Sequence, residues 1–408
     1  MEPENDPYHQ VRPLIDPHVD DRRNELVPAG GGRPGHKRII KPLPDVLDVV
    51  AVVSNPVRYQ SRYDLFRAFE AHVHDSGARL TVVEMAYGDR PFEVTGPDNP
   101  RHVQFRSAHE LWHKENLINL GIARLPRDAR YVAWVDADLT FARPDWVQET
   151  LQQLQHFPIV QMFAEAHDLD PDGLLLNSFR SFAWSHAHGV LRTRGGASGP
   201  GGGTPADSGG APADSGGAPT SYGMMPASHG RTAPRDGPQA AREGDPVVGK
   251  FAGQSRIAYW HHPGFAWAAR REAVDVLGGL FDVAVVGEAD YIMAKSLVGE
   301  GLDVLYPGVS PGYRKAVVDW QARALKLRGD LGYVPGTVLH HWHGRKASRH
   351  YWDRCKILTD TQFDPTVDLN RDWQGLYQLV DHEKPRSILL RDAIRAYFRS
   401  RNEDGIEL

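Results

Sequence analysis

The 408-residue chain has one cysteine, Cys355. An intramolecular disulfide is therefore impossible, and a zinc finger built on cysteines is excluded. No apolar run approaches the roughly 18 residues that a membrane-spanning helix needs, so no stable membrane insertion is expected. Basic excess is also missing. The 47 Lys and Arg stand against 52 Asp and Glu, a net charge of −5, which leaves no broad electrostatic footprint for nucleic acid. The opening residues Met1 to Asp6 are acidic and broken by Pro3, unlike a secretory signal, and the expected location is cytoplasmic.

Two stretches lack the residues from which cores are made. Residues 1–44 carry eight prolines and little periodicity, and a disordered tail is expected there. In residues 195–240, 13 glycines and 7 prolines occupy 20 of 46 positions, with no Leu, Ile, Val, Phe or Trp. A polar unit, Pro205 to Ala211, is repeated at Pro212 to Ala218. Two copies of so short a unit cannot stack into a solenoid, and the segment 193–255 is expected to be a disordered Gly/Pro-rich insertion.

What remains is ordinary globular sequence, 41% hydrophobic over the whole chain, in which strands alternate with helices. Val46–Val53, Leu80–Met85, His102–Phe105, Tyr131–Val135 and Ile159–Phe163 are short apolar runs that read as buried strands. Phe66, Phe69 and Val73 fall at i, i+3, i+7 of a helix closed at Gly77. A second helix is expected from about Ala108 to Pro126, with Leu111, Ile118, Ile122 and Leu125 on one stripe. A third runs from Asp145 to Phe157, opened by Pro144. Beyond the insertion, helices are expected at Arg271–Leu277, Glu288–Val298, Lys315–Leu327 and Ile388–Arg401. Alternation of this kind argues for an α/β fold with a largely parallel sheet.

Four groups of residues have the composition of a reactive site. Asp136 and Asp138 end the Tyr131–Val135 strand. Strand alternation would point both carboxylates one way, and ligands of open α/β sheets bind beyond the carboxyl ends of strands. Two hard oxygen ligands there suit Mg²⁺ or Mn²⁺ on a diphosphate. His340, His341 and His343 follow a strand-like Thr337–Leu339, and imidazoles are good ligands for transition metals. Glu288 and Asp290 open a helix, either as an electrostatic cap or with one of them as a general base. Ser54, Asn55, Arg58 and Arg62 follow the first strand and could meet a nucleotide or its phosphates.

Two further motifs point elsewhere. Asp168, Asp170, Asp172 and Gly173 resemble the start of a calcium loop, but its twelfth position is Phe179, which excludes one. His109-Glu110-Leu111-Trp112-His113 matches the H-E-x-x-H pattern of zinc peptidases on an expected helix. Its two histidines lie opposite the apolar stripe, and Asn116 and Asn119 stand where an extended motif needs Gly and His, so a coincidental surface pair is the better reading.

The order of these motifs is recognisable. Asn119-Leu120-Gly121-Ile122 followed by Tyr131 to Asp138 resembles the core of GT-A fold glycosyltransferases, especially family 2. Pro263 to Glu272, Gly278 to Asp282 and Gly287 to Asp290 resemble the C-terminal half of galactosyltransferase-like members, and His341 to Gly344 their C-terminal histidine segment. The resemblance spans about residues 45–355 apart from the insertion. It implies a mixed, Rossmann-like sheet flanked by helices. A nucleotide-sugar-binding half would cover 45–192 and an acceptor and metal half 256–345, with a helical extension at 346–408.

By the same resemblance, Asp138, with Asp136 beside it, would hold Mn²⁺ or Mg²⁺ on the diphosphate of a UDP-sugar, and His343 or His341 would complete the metal site. Arg58, Arg62 and Glu84 would hold the nucleoside, joined on the donor side by Ser54, Asn55, Lys114 and Asp136. Asp290, or Glu288, would take the acceptor proton, with inversion expected. Ile118 stands where many family 2 members have Arg, and Ala289 where galactosyltransferases often have an acid. The implied acceptor is any hydroxyl-bearing glycan, protein, small molecule or modified DNA base. The competing readings are a metal-dependent hydrolase and a non-catalytic nucleotide-sugar binder.

The insertion gives the first prediction. Replacing residues 195–240 by a short Gly/Ser bridge should leave the melting temperature nearly unchanged, because loop length costs only about 0.6 kcal/mol per doubling. A fall of about ten degrees, worth several kcal/mol in a chain of this size, would mean that the segment is packed.

Overall fold

The computed structural model describes residues 45–191, 261–351, 353–380 and 384–407. The tail at 1–44 and the insertion at 193–255 lie outside the described residues. The first half runs β1 (Leu47–Ser54), α1 (Gln60–Asp75), β2 (Arg79–Tyr87), β3 (His102–Ser107), α2 (Lys114–Ile122), β4 (Tyr131–Val135) and β5 (Leu139–Phe141). It continues through α3 (Trp146–His156), β6 (Ile159–Gln161), β7 (Glu165–Leu169), β8 (Leu175–Ser181) and α4 (Phe182–Ala187). The second half holds β9 (His261–His262), β10 (Ala266–Arg270), α5 (Arg271–Leu277), α6 (Ala289–Leu297), α7 (Pro311–Ala324), β11 (Leu331–Tyr333) and β12 (Thr337–His340). Last come α8 (Asp353–Asp360), α9 (Pro365–Asp368), β13 (Leu369–Arg371), β14 (Tyr377–Leu379) and α10 (Pro385–Ser400).

Seven strands form the main sheet in the order β11-β6-β10-β4-β1-β2-β3. Strands β1 to β4 are parallel, as their two-sided burial requires, but β10 lies antiparallel between β4 and β6. The sheet is therefore mixed rather than purely parallel. Helices flank it, and two apolar cores cover its opposite faces. A second sheet, β5-β12-β7-β8-β9, stands beside it. No helix among the described residues is long and apolar enough to cross a membrane.

The expected stripes are the buried ones. Phe66, Phe69 and Val73 of α1 pack inward together with Tyr63. In α2, Gly121 allows the helix to lie close against the sheet: a Cβ there would sit 2.7 Å from Val83 and 2.8 Å from Val50. The start of α2 differs from the sequence reading. Residues 108–113 are not helical, because the Trp112 amide donates to the Val285 carbonyl at 2.9 Å, and the helix begins only at Lys114.

The last described residues return across the start of α1. The Asp404 carboxylate accepts the amides of Gln60 at 2.9 Å and Ser61 at 2.8 Å, capping α1, whose own Tyr59 supplies no side-chain cap. Trp342 donates to the Gly405 carbonyl and Arg345 to that of Glu407. Between these contacts Glu403, 1% exposed, accepts from both Arg62 and Arg401. Burial would raise its pKa, but Arg62 and Arg401 hold the carboxyl far below the usual range.

Because the folded pKa is depressed, this ionic triad stabilises the fold fully above the unfolded value near 4.5, and its contribution is lost as the pH falls through the folded value. Glu403→Gln should cost about 3 kcal/mol at pH 7, since it strands buried guanidinium charge. In urea titrations the gap between variant and wild type should be constant above about pH 5 and narrow below pH 4. A gap independent of pH would show that the triad contributes packing rather than charge.

Candidate functional site

The site lies beyond the carboxyl end of β4. There the Asp136 amide donates to the Phe265 carbonyl at 2.9 Å, and the His341 amide donates to the Asp138 carbonyl at the same distance. The leads into β10 and out of β12 are thus fastened to the end of the central strand. Gln161, fully buried, donates to the carbonyls of His262 and Gly264 and accepts the Ala183 amide. That fixes the loop before β10, in which Phe265 takes a left-handed φ of 75°. Such strain in a bulky residue persists only where its surroundings over-determine it. Phe265 is sandwiched between the His262 ring, 3.6 Å between centroids, and the His340 ring at 4.6 Å.

His340, His343 and Asp138 converge, with one ligand atom of each within 4.8 Å of the others. Strands β12 and β7 are parallel neighbours, in register such that His340 pairs with Asp168. The His340 Nδ1 hydrogen bonds Asp168 at 2.8 Å. Burial would raise the Asp168 carboxyl, but His340 and Lys346 hold it well below the usual range, so it is ionised and can only accept. His340 Nδ1 therefore carries a proton, and its Nε2 is turned inward. This is the carboxylate–histidine arrangement that orients metal-binding imidazoles.

The inward-facing atoms cannot satisfy one another. His343 Nε2 lies 3.0 Å from Asp138 Oδ2, 3.2 Å from His340 Nε2 and 3.0 Å from Arg349 Nη2. If it bears a proton, it opposes the Arg349 N–H. If it bears a lone pair, it opposes the Asp138 oxygen. Asp138 Oδ1 and His343 Nδ1 are buried with no hydrogen-bond partner among the described residues. Burial, and Arg349 beside it, lower the His343 pKa to about 4, so its imidazole is neutral at pH 7. Burial would raise Asp138, yet the histidines and Arg349 hold it well below the usual range. A carboxylate and two imidazoles aimed at one point fit a divalent transition metal.

Of the sequence candidates, Asp138 and His343 meet here, while Asp136 and His341 do not. Alternation stops with β4: residues 137 and 138 form a turn, and Asp136 pairs with Lys114 instead. His341 points away, its Nε2 2.8 Å from the Thr140 hydroxyl. Burial pushes the Asp136 carboxyl up against the pull of Lys114. Next along α2, burial pushes buried Glu115 up to about 8, with Lys114 opposing and Asp290 adding to the rise.

Asp290 and Glu288 face different surroundings. Asp290 Oδ2 lies 2.4 Å from where a Cβ on Gly264 would be, so only glycine leaves that oxygen accessible. Glu288, at a left-handed φ of 79°, accepts from Cys355 on α8 and is raised by burial. The expected nucleoside residues are mostly engaged within the chain. Ser54 bonds the Tyr87 hydroxyl, Asn55 closes the turn to Tyr59, and Arg58 pairs with Glu93. Arg62 holds Glu403, and Glu84 accepts the amides of Glu93, Val94 and Thr95.

Sequence reasoning named His340 in the histidine group without choosing it as a ligand, and it missed Asp168, Glu115 and Arg349 as site residues. The parity of β12 held the signal for the first, since Val338 and His340 share its buried face. Asp168 lay in the rejected acidic run, whose Asp170 closes a turn by accepting the amides of Asp172 and Leu174. The H-E-x-x-H residues do not converge. His113 contacts the Leu111 and Tyr377 carbonyls, Glu110 pairs with Arg399, and His109 accepts the Leu379 amide.

No protein-family model matches the chain. No curated protein matches it either. Among solved structures it is similar to the catalytic domain of Drosophila beta1,4-galactosyltransferase 7 with xylobiose, at 10% identity and a TM-score of 0.32, over 84% of this chain and 98% of that one. A mutant of that enzyme with manganese, UDP-Gal and xylobiose gives 9% and 0.33 over the same shares. A Desulfovibrio desulfuricans G20 protein described as a nucleotide-diphospho-sugar transferase gives 13% and 0.28, over 86% of this chain and 97% of that one. Superpositions this loose assign no activity.

The geometry predicts which histidine binds metal. Calorimetric titration with Mn²⁺ should detect no binding to Asp138→Ala, His340→Ala or His343→Ala, and unchanged binding to His341→Ala. Asp168→Asn should weaken binding about 10- to 100-fold, the usual worth of a residue that orients a ligand.

Proposed function

We propose that the protein is a Mn²⁺-dependent glycosyltransferase of the GT-A type. It would move a hexosyl group from a nucleotide sugar, a UDP-sugar, to a hydroxyl acceptor with inversion at the anomeric carbon. The observation that carries the reading is the convergence of Asp138, His340 and His343 beyond the carboxyl end of β4, with the Asp290 carboxylate beside the Gly264 backbone of the neighbouring loop. The order of motifs along the chain supports the same assignment.

Two imidazoles favour Mn²⁺ over Mg²⁺, which prefers an all-oxygen shell. The bound ion would supply charge stabilisation to the leaving diphosphate. Everything else falls to the chain. Asp138 and the two histidines hold the ion, with Asp168 fixing the tautomer of His340. Lys114, half-buried and paired with Asp136, sets a positive charge on the donor side. Asp290 takes the proton of the acceptor hydroxyl, since its Oδ2 is the open carboxylate oxygen there, while Glu288 is turned to Cys355. Ser54, Asn55, Arg58, Arg62 and Glu84 shape the nucleoside end chiefly by fixing its loops.

UDP release from a UDP-sugar that depends on added acceptor would separate a transferase from a hydrolase, which needs none, and from a binder, which releases none. With a competent acceptor, Asp290→Asn should cut turnover by about 10²- to 10⁴-fold, the usual worth of a general base, and leave donor affinity intact by calorimetry. If Asp290→Asn turns over normally and Glu288→Gln is dead, the base is Glu288.

A further inference from the structure

Arg349 is 7% exposed and ends a short 3-10 helix, Lys346–Arg349, that turns off through His350 at a left-handed φ of 46°. Its Nη1 donates to the Tyr351 hydroxyl at 3.1 Å, and its Nη2 lies 3.0 Å from His343 Nε2. Its Nε is buried without a hydrogen-bond partner among the described residues. A guanidinium is always charged and forms parallel hydrogen bonds to phosphate oxygens. Here Nη2 of that fork reaches a metal-ligand candidate, while the neighbouring Nε has no partner among the described residues. His343 Nε2 offers a single lone pair, which can serve Arg349, 3.0 Å away, or a metal ion, not both.

We propose that Arg349 and the divalent ion compete for His343 Nε2, and that the displaced guanidinium pairs with the diphosphate of the donor. The second half rests on the nucleotide-sugar reading; the first does not. Binding is then ordered: the ion frees Arg349, and Arg349 holds the diphosphate that arrives with the nucleotide. The consequence is a pair of effects of opposite sign when Arg349 is removed, which a merely structural role would not produce.

The test is calorimetry on the full chain, with Mn²⁺ alone and then with UDP at saturating Mn²⁺. Arg349→Gln should bind Mn²⁺ about tenfold more tightly and UDP about tenfold more weakly than wild type, within the usual 5- to 150-fold range of coupling between sites. Weaker Mn²⁺ binding would overturn the competition and make Arg349 a support for His343. Unchanged UDP affinity would overturn the diphosphate contact. If wild type binds no UDP with Mn²⁺ present, the nucleotide-sugar reading and the diphosphate contact both fall, while tighter Mn²⁺ binding by the variant still upholds the competition. Should Arg349→Gln not fold, by far-UV circular dichroism, Arg349→Lys is read the same way, because a lone ammonium lacks the fork that spans Tyr351 and His343.

Discussion

The hydrogen bond from His340 Nδ1 to Asp168, 2.8 Å long, is the interaction on which the site depends. It follows from a register: parallel pairing of β12 with β7 sets these residues side by side, both buried. A one-residue slip of either strand would carry its whole inward set to the other face. The apolar partners of the same pairing, Val338 and Ala166, are fully buried and resist such a slip. Hydrophobic packing thereby fixes a proton on Nδ1 and turns Nε2 inward.

Around that bond, backbone irregularity is concentrated where side chains must be aimed. Phe265 and Glu288 both adopt left-handed backbone, which L side chains disfavour. Each is held by neighbours: Phe265 by two stacked imidazoles and the Asp136 amide, Glu288 by Cys355. At Glu288 the backbone turn aims two nearby carboxylates apart. One meets the Cys355 thiol, and the other reaches the space that Gly264 leaves open. Sequence spacing alone could not separate them, because both stand at the start of one helix.

The fold was legible where periodicity is strong. Strands β1, β2 and β4 and the stripe of α1 stand within a residue or two of their expected places, because two-sided burial and 3.6-residue spacing leave few alternatives. The start of α2 was not legible, since the Trp112 to Val285 bond joins segments far apart in sequence. In the site, Asp138 and His343 were legible as ligand types at strand ends. His340 was not chosen, although the parity of β12 marks it as inward. Asp136 was over-read, because alternation was carried past the last residue of β4 into a turn. Arg62 was read as a nucleoside contact, and its buried partner Glu403 lies 341 residues away.

The cap on α1 ties the site to the order in which the chain is made. Asp404 closes a helix that begins 344 residues earlier, and Glu403 brings charge to the rear of His343 from the same segment. At about 5 to 20 residues per second, α1 and β1 leave the ribosome many seconds before their cap exists. The amides at the start of α1 must meanwhile be satisfied by water. Early folding units can settle by their own apolar stripes, but the carboxylate and arginine shell behind the histidines assembles only once Arg401 and Glu403 have emerged. A truncated translation product would thus contain every candidate metal ligand and still lack the wall that holds His343 in place.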